Sequence, residues 1–413
     1  MTGVGALAGI RVLDFSRFQQ GPYATLLLAD MGAEVVRIER PGGEWDRELR
    51  ATPDGFSGFF YGMNRGKRSV AIDISTQAGR EAAVRLAEHA DVVVENFRSG
   101  VMDRLGLGYE QLRAANPRII YAAANGWGPS GPNAAEPMYD MVAQAVSGVA
   151  DFNRDADGRP RLATRGYADA GGAAFLAMGV VTALYARERT GFGQRVDASL
   201  VGACIGLHAQ ELGVCLNQGR MDRPGGRVTP TSGAFRCRDG SWLVIAATDH
   251  KLWDPLCRAL GRPALLEEPR FADRASRLKN RAELEPILED AFASRERDEW
   301  LPRLREANIP VGPVKTFLDL AEDADVLVNG YILSGSDSTQ GRRLAAGHPF
   351  HLSGSPNVPS MAMPALGEHT ADELAAVGYT EAEIDELVRA GVAQRPAGEV
   401  APAVAGHRQH ISS

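Results

Sequence analysis

Between Asp169 and Arg187 the chain carries no charged side chain: Ala170 to Ala186 is an uninterrupted neutral run. Such a stretch has to leave water over most of its surface, so a membrane span is the first reading to weigh. The run is rich in Ala and Gly, poor in Leu and Ile, and short of the roughly 20 strongly apolar residues a span needs. In a globular chain, a helix that is apolar all round is one buried on every side. The expectation is therefore a central buried helix of a large domain.

Asp169 stands at the mouth of that helix and admits two readings. As an N-cap, its carboxylate would accept a backbone N–H from the next turn. As a nucleophile, it would draw on the partial positive charge of the helix N-terminus, which favours the ionised form. Ala170, Gly171 and Gly172 would then leave room for a substrate carbonyl. Carboxylates do form covalent intermediates in group transfer. The residues alone leave both readings open.

With 413 residues the chain can bury two cores, and 44% hydrophobic with 23% charged residues is ordinary for a soluble globular protein. A formal net charge of -7 argues against a general binder of nucleic acid or anionic membrane. Cys204, Cys215, Cys237 and Cys257 have no C-x-x-C spacing and suggest neither zinc nor a disulfide framework. The N-terminus lacks the pattern of a signal peptide, so a cytoplasmic location is expected.

Short apolar strands alternate with helices in the first half. Ile10–Asp14, Glu34–Ile38, Ser69–Asp73, Asp91–Glu95 and Ile119–Ala123 read as strands. Pro22 reads as the first residue of a helix through Asp30, and Thr76–His89 as another. The pattern gives β-α-β units with parallel strands and right-handed crossovers, an open Rossmann-like α/β sheet. Glu39 closes the second strand as a ribose-binding acid would. The first turn, Phe15 to Pro22, nevertheless lacks the G-x-G-x-x-G loop, which excludes a nicotinamide dehydrogenase.

Several segments, none specific alone, recur in a telling order. They are Gln19-Gln-Gly-Pro22, Ala29-Asp-Met-Gly-Ala33, Glu39-Arg-Pro-Gly42, Asn64 to Ser69, Glu95-Asn-Phe97, Arg104 to Gly108 and Tyr139 to Gly148. Asp169-Ala-Gly-Gly and Arg187-Glu-Arg-Thr-Gly-Phe-Gly-Gln-Arg-Val-Asp197 follow. Together they resemble the class III CoA-transferases, the family of formyl-CoA and carnitine-CoA transferases, over about residues 8 to 390. The resemblance makes Asp169 the acyl-accepting nucleophile. It implies that CoA, as acyl-CoA substrate and with no metal, is held by Gln19, Gln20, Arg40, Ile72, Asp73, Asn96, Phe97, Arg98, Arg104, Tyr139 and Asp140. Guanidinium groups suit the phosphates of CoA, and Phe97 suits an adenine face. Ser75 and Pro137 stand where family members often have Lys.

The resemblance further implies an interlocked homodimer of two-domain chains. The large domain would take residues 1–200 and return over 326–393, with a linker at 201–230 and a smaller α+β domain at 231–325. Residues 394–413 would form a disordered tail. Val201–Gly219 reads as one helix, and Asp239-Gly240 as the turn of a hairpin. Formyl-CoA transferases carry a glycine-rich active-site loop here, where this chain has only Gly225-Gly226.

The implied reaction moves CoA from an acyl-CoA to a free carboxylic acid through an aspartyl anhydride and an aspartyl-CoA thioester. Backbone N–H groups near Gly171-Gly172 are the candidate oxyanion donors. One rival is an α-methylacyl-CoA racemase-like isomerase, and another is a non-catalytic CoA-binding module. The racemase branch carries a His where Tyr139 stands, and a phenol with a pKa of about 10 is a poor proton shuttle at neutral pH.

Overall fold

The computed structural model describes residues 4–53, 55–155, 157–219, 227, 229–337 and 341–396. The Gly225-Gly226 pair and residues 397–413 lie outside the described residues. The chain forms two compact units, one from residues 1–150, 162–218 and 326–413, the other from 151–161 and 219–325.

The first unit is built on a sheet of β1 (Arg11–Asp14), β2 (Glu34–Glu39), β3 (Arg68–Ile72), β4 (Val92–Glu95), β5 (Ile120–Asn125) and β6 (Arg195–Ser199). Its order is β3-β2-β1-β4-β5-β6, all parallel. Beyond β3, Ala393–Gln394 add a short antiparallel edge strand, with Ala393 opposite Ile72. Gln394, the first residue of the expected tail, thus completes a ladder, paired with Ala71.

The strands are apolar without alternation because both faces are covered. Val12, Val35, Val92 and Val94 belong to one core, with the helices Gln20–Asp30 and Tyr167–Thr190. Leu13, Val36, Val70 and Val93 point the other way, toward the helices Gln77–Glu88, Tyr109–Ala115, Thr370–Ala376 and Glu381–Arg389. The helix after β1 begins at Gln20, not Pro22. Pro22 still falls in the first turn, where no backbone donor is required of it.

The long helix, Tyr167–Thr190, does not meet the expectation of burial on every side. Ala168, Gly172, Ala173, Leu176, Val180 and Ala183 pack inward, while Met178 and Tyr185 are about 60% exposed (59% and 61%). Small residues let one face lie close to the sheet, and the other face has no cover among the described residues. Gly191, at φ 78°, ends the helix in the left-handed region that Gly adopts freely. Gly193 permits the next close approach: a Cβ there would lie 1.9 Å from the Ile119 carbonyl oxygen.

The single helix expected over Val201–Gly219 is two, Leu200–Leu207 and Ala209–Gln218, bent by 77° at His208. In the second unit, β7 (Ser232–Arg236), β8 (Trp242–Ala246) and β9 (Val311–Pro313) form an antiparallel sheet around the expected hairpin. Phe235, Phe292 and Trp300 fill its core, and the Trp300 indole N–H donates to the Phe292 carbonyl at 2.9 Å.

Candidate active site

Strand order reverses at β1: β2 lies to one side and β4 to the other. Connections leaving the carboxyl ends of two such strands diverge, and the crevice between them is where open α/β sheets bind ligands. Here the connections are Phe15–Gln19 after β1 and Asn96–Gly100 after β4. A cleft of about 440 Å³ lies at these strand ends, with Phe15, Arg17, Arg40, Asp73 and Phe97 in its wall.

Four of the residues singled out from sequence line this cleft: Arg40, Ile72, Asp73 and Phe97. The Arg40 Nε donates to the Gly43 carbonyl at 2.8 Å. Asp73 Oδ1 accepts both the N–H and the O–H of Ser75, which steadies the turn after β3. Arg98 and Arg104 are exposed, and among the described residues neither guanidinium is ion-paired. Leu105, next to Arg104, reaches the cleft wall. Asn96 instead bridges the two connections, accepting from Arg17 N at 2.8 Å and donating to Arg17 O at 2.7 Å. Sequence reasoning passed over Arg17, whose guanidinium lies 4.8 Å from the Phe97 ring centroid and 3.1 Å from Glu44. Its one signal was its place in the quoted first turn.

The same turn runs on to the neutral helix. Gln19 Nε2 faces the Gly166 carbonyl at 3.5 Å, and Gln20 Nε2 donates to Ala198 O at 3.2 Å. Gly166 and Gly172 make room for these amides. A Cβ on Gly166 would come within 2.5 Å of Gln19 Nε2, and one on Gly172 within 2.6 Å of Gln20 Nε2.

Gly166, left-handed at φ 73°, is the N-cap of the long helix and supplies no side-chain cap. Asp169 falls at the third helical position and caps nothing. The capping is done by Asp140, from 29 residues upstream. Its Oδ1 accepts from Ala168 N at 2.7 Å and Asp169 N at 3.3 Å. Its Oδ2 accepts from Gly166 N at 3.1 Å and Gln144 Nε2 at 2.8 Å. Asp140 is buried, whereas the adjacent Tyr139 is 69% exposed.

Asp169 is left partly buried, with no hydrogen-bond partner for its carboxylate among the described residues. The helix N-terminus was expected to favour the ionised form. Burial, and then the charge of Asp140, instead raise the Asp169 pKa from 3.8 to about 7. Asp140 occupies the first-turn N–H groups that would have stabilised a second carboxylate. Gly171 and Gly172 lie beyond Ala170, whose N–H already bonds to Gly166 O. Their amides point back along the helix as internal donors, so they are not the oxyanion donors expected from sequence.

Beneath the first turn lies a charge network that sequence reasoning missed. Lys67 Nζ donates to Asp14 Oδ2 at 3.0 Å and to Pro22 O at 2.9 Å. Burial brings Lys67 down to about 8 despite Asp14. Nη2 of the fully buried Arg37 donates to both oxygens of Asp46, at 3.1 and 2.9 Å. Burial alone would raise Glu39, but Arg37, Arg47 and Ser69 hold it below the ordinary carboxylate range. The residue weighed as a ribose ligand is thus committed to the protein interior.

The model of CoA-transferase family III matches residues 7–370. A formyl-CoA:oxalate CoA-transferase of Bradyrhizobium sp. (strain ORS 278) is 33% identical across 96% of this chain and 99% of its own length. A succinyl-CoA:mesaconate CoA-transferase of Haloarcula hispanica is 35% identical across 91% and 97%. Among solved structures, a CAIB/BAIF family protein from Brucella suis superposes with a TM-score of 0.82 at 31% identity, covering 91% of this chain and all of that one (100%). Rv3272 from Mycobacterium tuberculosis gives 0.80 at 34% identity, covering 90% of this chain and 99% of that one.

Proposed function

The chain belongs to CoA-transferase family III, and on that premise we propose that it moves CoA from an acyl-CoA donor to a free carboxylic acid with Asp169 as covalent acceptor. The observation that carries this reading is the unpartnered Asp169 carboxylate on a helix whose capping is done by Asp140.

The ionised Asp169 attacks the donor thioester carbonyl, the C–S bond breaks, and CoA leaves as thiolate from an aspartyl–acyl anhydride. The thiolate attacks the aspartyl carbonyl carbon, releasing the donor acid and leaving an aspartyl-CoA thioester. The acceptor carboxylate attacks that thioester, giving a second anhydride and free thiolate. Attack of the thiolate on the acceptor's acyl carbon forms the new acyl-CoA and regenerates Asp169. The thioester's free energy is thus held on the enzyme and not lost to water. Burial of Asp169 serves this end, because a poorly hydrated carboxylate is a stronger nucleophile. Arg40, Arg98 and Arg104 would hold the phosphates, with Phe97 against the adenine.

A homodimer of the interlocked kind accords with the uncovered apolar face of Tyr167–Thr190 and with the helix Ala209–Gln218, which buries no residue within the chain. Dimers of this kind do not exchange subunits under native conditions. Mixing tagged and untagged protein should yield no mixed dimer, and ready exchange refutes the topology.

A carboxyl group with a pKa of about 7 also suits proton transfer, which keeps the isomerase reading in play. Asp169→Asn should fold and bind CoA while losing transfer. A chiral 2-methylacyl-CoA incubated in deuterium oxide without an acceptor acid should take up no α-deuterium, and adding the acid should yield its CoA thioester. Deuterium uptake without CoA exchange would make the enzyme an isomerase.

A further inference from the structure

Phe18 has φ +64°, a left-handed conformation that a bulky side chain rarely adopts. It immediately precedes Gln19, whose amide faces the mouth of the Asp169 helix at Gly166, and Gln20, whose amide lies against Gly172 of that helix. Buried side chains engage the backbone on either side of it. Ser16 N donates to Asp14 Oδ1 at 2.9 Å, and Ser16 O accepts from Arg37 Nη1 at 3.2 Å. Both backbone groups of Arg17 are taken by Asn96. Phe18 N donates to Asp46 Oδ2 at 3.2 Å, and Asp46 is in turn gripped by Arg37. Asp46 and Arg37 are 1% and 0% exposed, so the carboxylate is held in a low-dielectric place even though Phe18 itself is 37% exposed.

Buried ion pairs are a poor source of net stability, since apolar groups of equal volume often serve as well. A strained residue persists only where its surroundings over-determine it, and such strain clusters at functional sites. We infer that Asp46, braced by Arg37, is a positioning residue: it holds Phe18 left-handed and so sets the Gln19 and Gln20 amides against the Asp169 helix. Asp46 touches no reacting atom and acts through the loop. The inference rests on Asp169 as acyl acceptor.

Asp46→Asn keeps the volume but sets an amide N–H₂ against Arg37 Nη2 in either orientation, and in one of them against the Phe18 N–H as well. With a fixed donor and acceptor pair, kcat should fall about 10- to 100-fold while KM for the acyl-CoA changes less than about threefold. Adding Phe18→Gly, which removes the steric penalty of φ +64°, should restore at least about fivefold of the lost kcat. The restoration must exceed any gain from Phe18→Gly in the native background, since the hydrogen bond from Phe18 N to Asp46 couples the two positions. If Asp46→Asn proves unstable, Phe18→Val in the otherwise native protein serves instead. A β-branched residue tolerates left-handed φ worst, so kcat should fall with CoA affinity retained. Strictly additive effects at positions 18 and 46, or wild-type kcat in both Asp46→Asn and Phe18→Val, overturn the inference. Wild-type protein that transfers CoA and loses transfer in Asp169→Asn would then leave the proposed reaction standing.

Discussion

Replacing Asp140 with Asn removes one charge from the mouth of the helix Tyr167–Thr190 and almost no volume. Asp169 sits at about 7 against an ordinary 3.8, a rise of about three pH units with burial the larger cause. Asp140 is the smaller of the two causes, so its removal should lower Asp169 by less than half of that rise; a fall of about one pH unit is worth about 1.4 kcal/mol. With Asp169 as the proposed nucleophile, only its ionised form reacts, so wild-type kcat/KM should be lost as pH falls through about 7. At pH 6 the ionised fraction would go from about one-tenth to about one-half, raising the ratio of activity at pH 6 to that at pH 9 about fivefold. The absolute rate falls, because an Asn cannot accept from all four donors and one orphaned pair costs about 1–3 kcal/mol of stability. The assay is kcat/KM for the acyl-CoA from pH 5 to 9, since that parameter reports ionisation of the free enzyme. A folded Asp140→Asn protein whose acidic limb stays in place, or moves upward, refutes the electrostatic account of the pair.

Two further expectations concern stability. A carboxyl raised from 3.8 to about 7 on folding stabilises the fold below pH 4, and that contribution is lost as pH rises through 7. Asp169→Asn, neutral throughout, should therefore melt above wild type at pH 8 by an amount worth about 1–2 kcal/mol, its partial exposure discounted, and match it at pH 4; equal melting temperatures at both values would contradict the raised pKa. Gly193→Ala should drive a methyl group into the Ile119 carbonyl at 1.9 Å and push the entry of β6 off β5. Thermal unfolding should register a loss of more than about 3 kcal/mol, and a near-neutral effect would mean that the backbone there yields.

Period, charge and punctuation made the elements legible. The unalternating Val12-Leu13, Val35-Val36 and Val92–Val94 runs signal strands covered on both faces, and they form the parallel sheet. The family resemblance gathered blocks from Gln19 to Asp197 and ran over about residues 8 to 390, and the comparisons bear out the family. The neutral run at 170–186 gave a long helix with Asp169 in its first turn. What that stretch could not reveal is which of its faces meets the sheet, since Ala and Gly mark no periodic apolar stripe.

Only the tertiary structure decided how Asp169 is left free. Asp140 does the capping from 29 residues away, Asn96 holds Arg17 from 79, and Asp46 holds Phe18 from 28. Each acceptor is an Asp or Asn that would read equally well as a surface turn, a local cap or a ligand contact. Sequence records which groups can accept a hydrogen bond. Chain topology determines which orphaned donors they meet once the sheet has brought the ends of β1 and β4 and the mouth of the long helix together. Helix and strand preferences are local energies and can be read residue by residue. The partners of a buried charge are fixed by desolvation in the assembled fold, where an unmatched donor or acceptor costs more than any local preference.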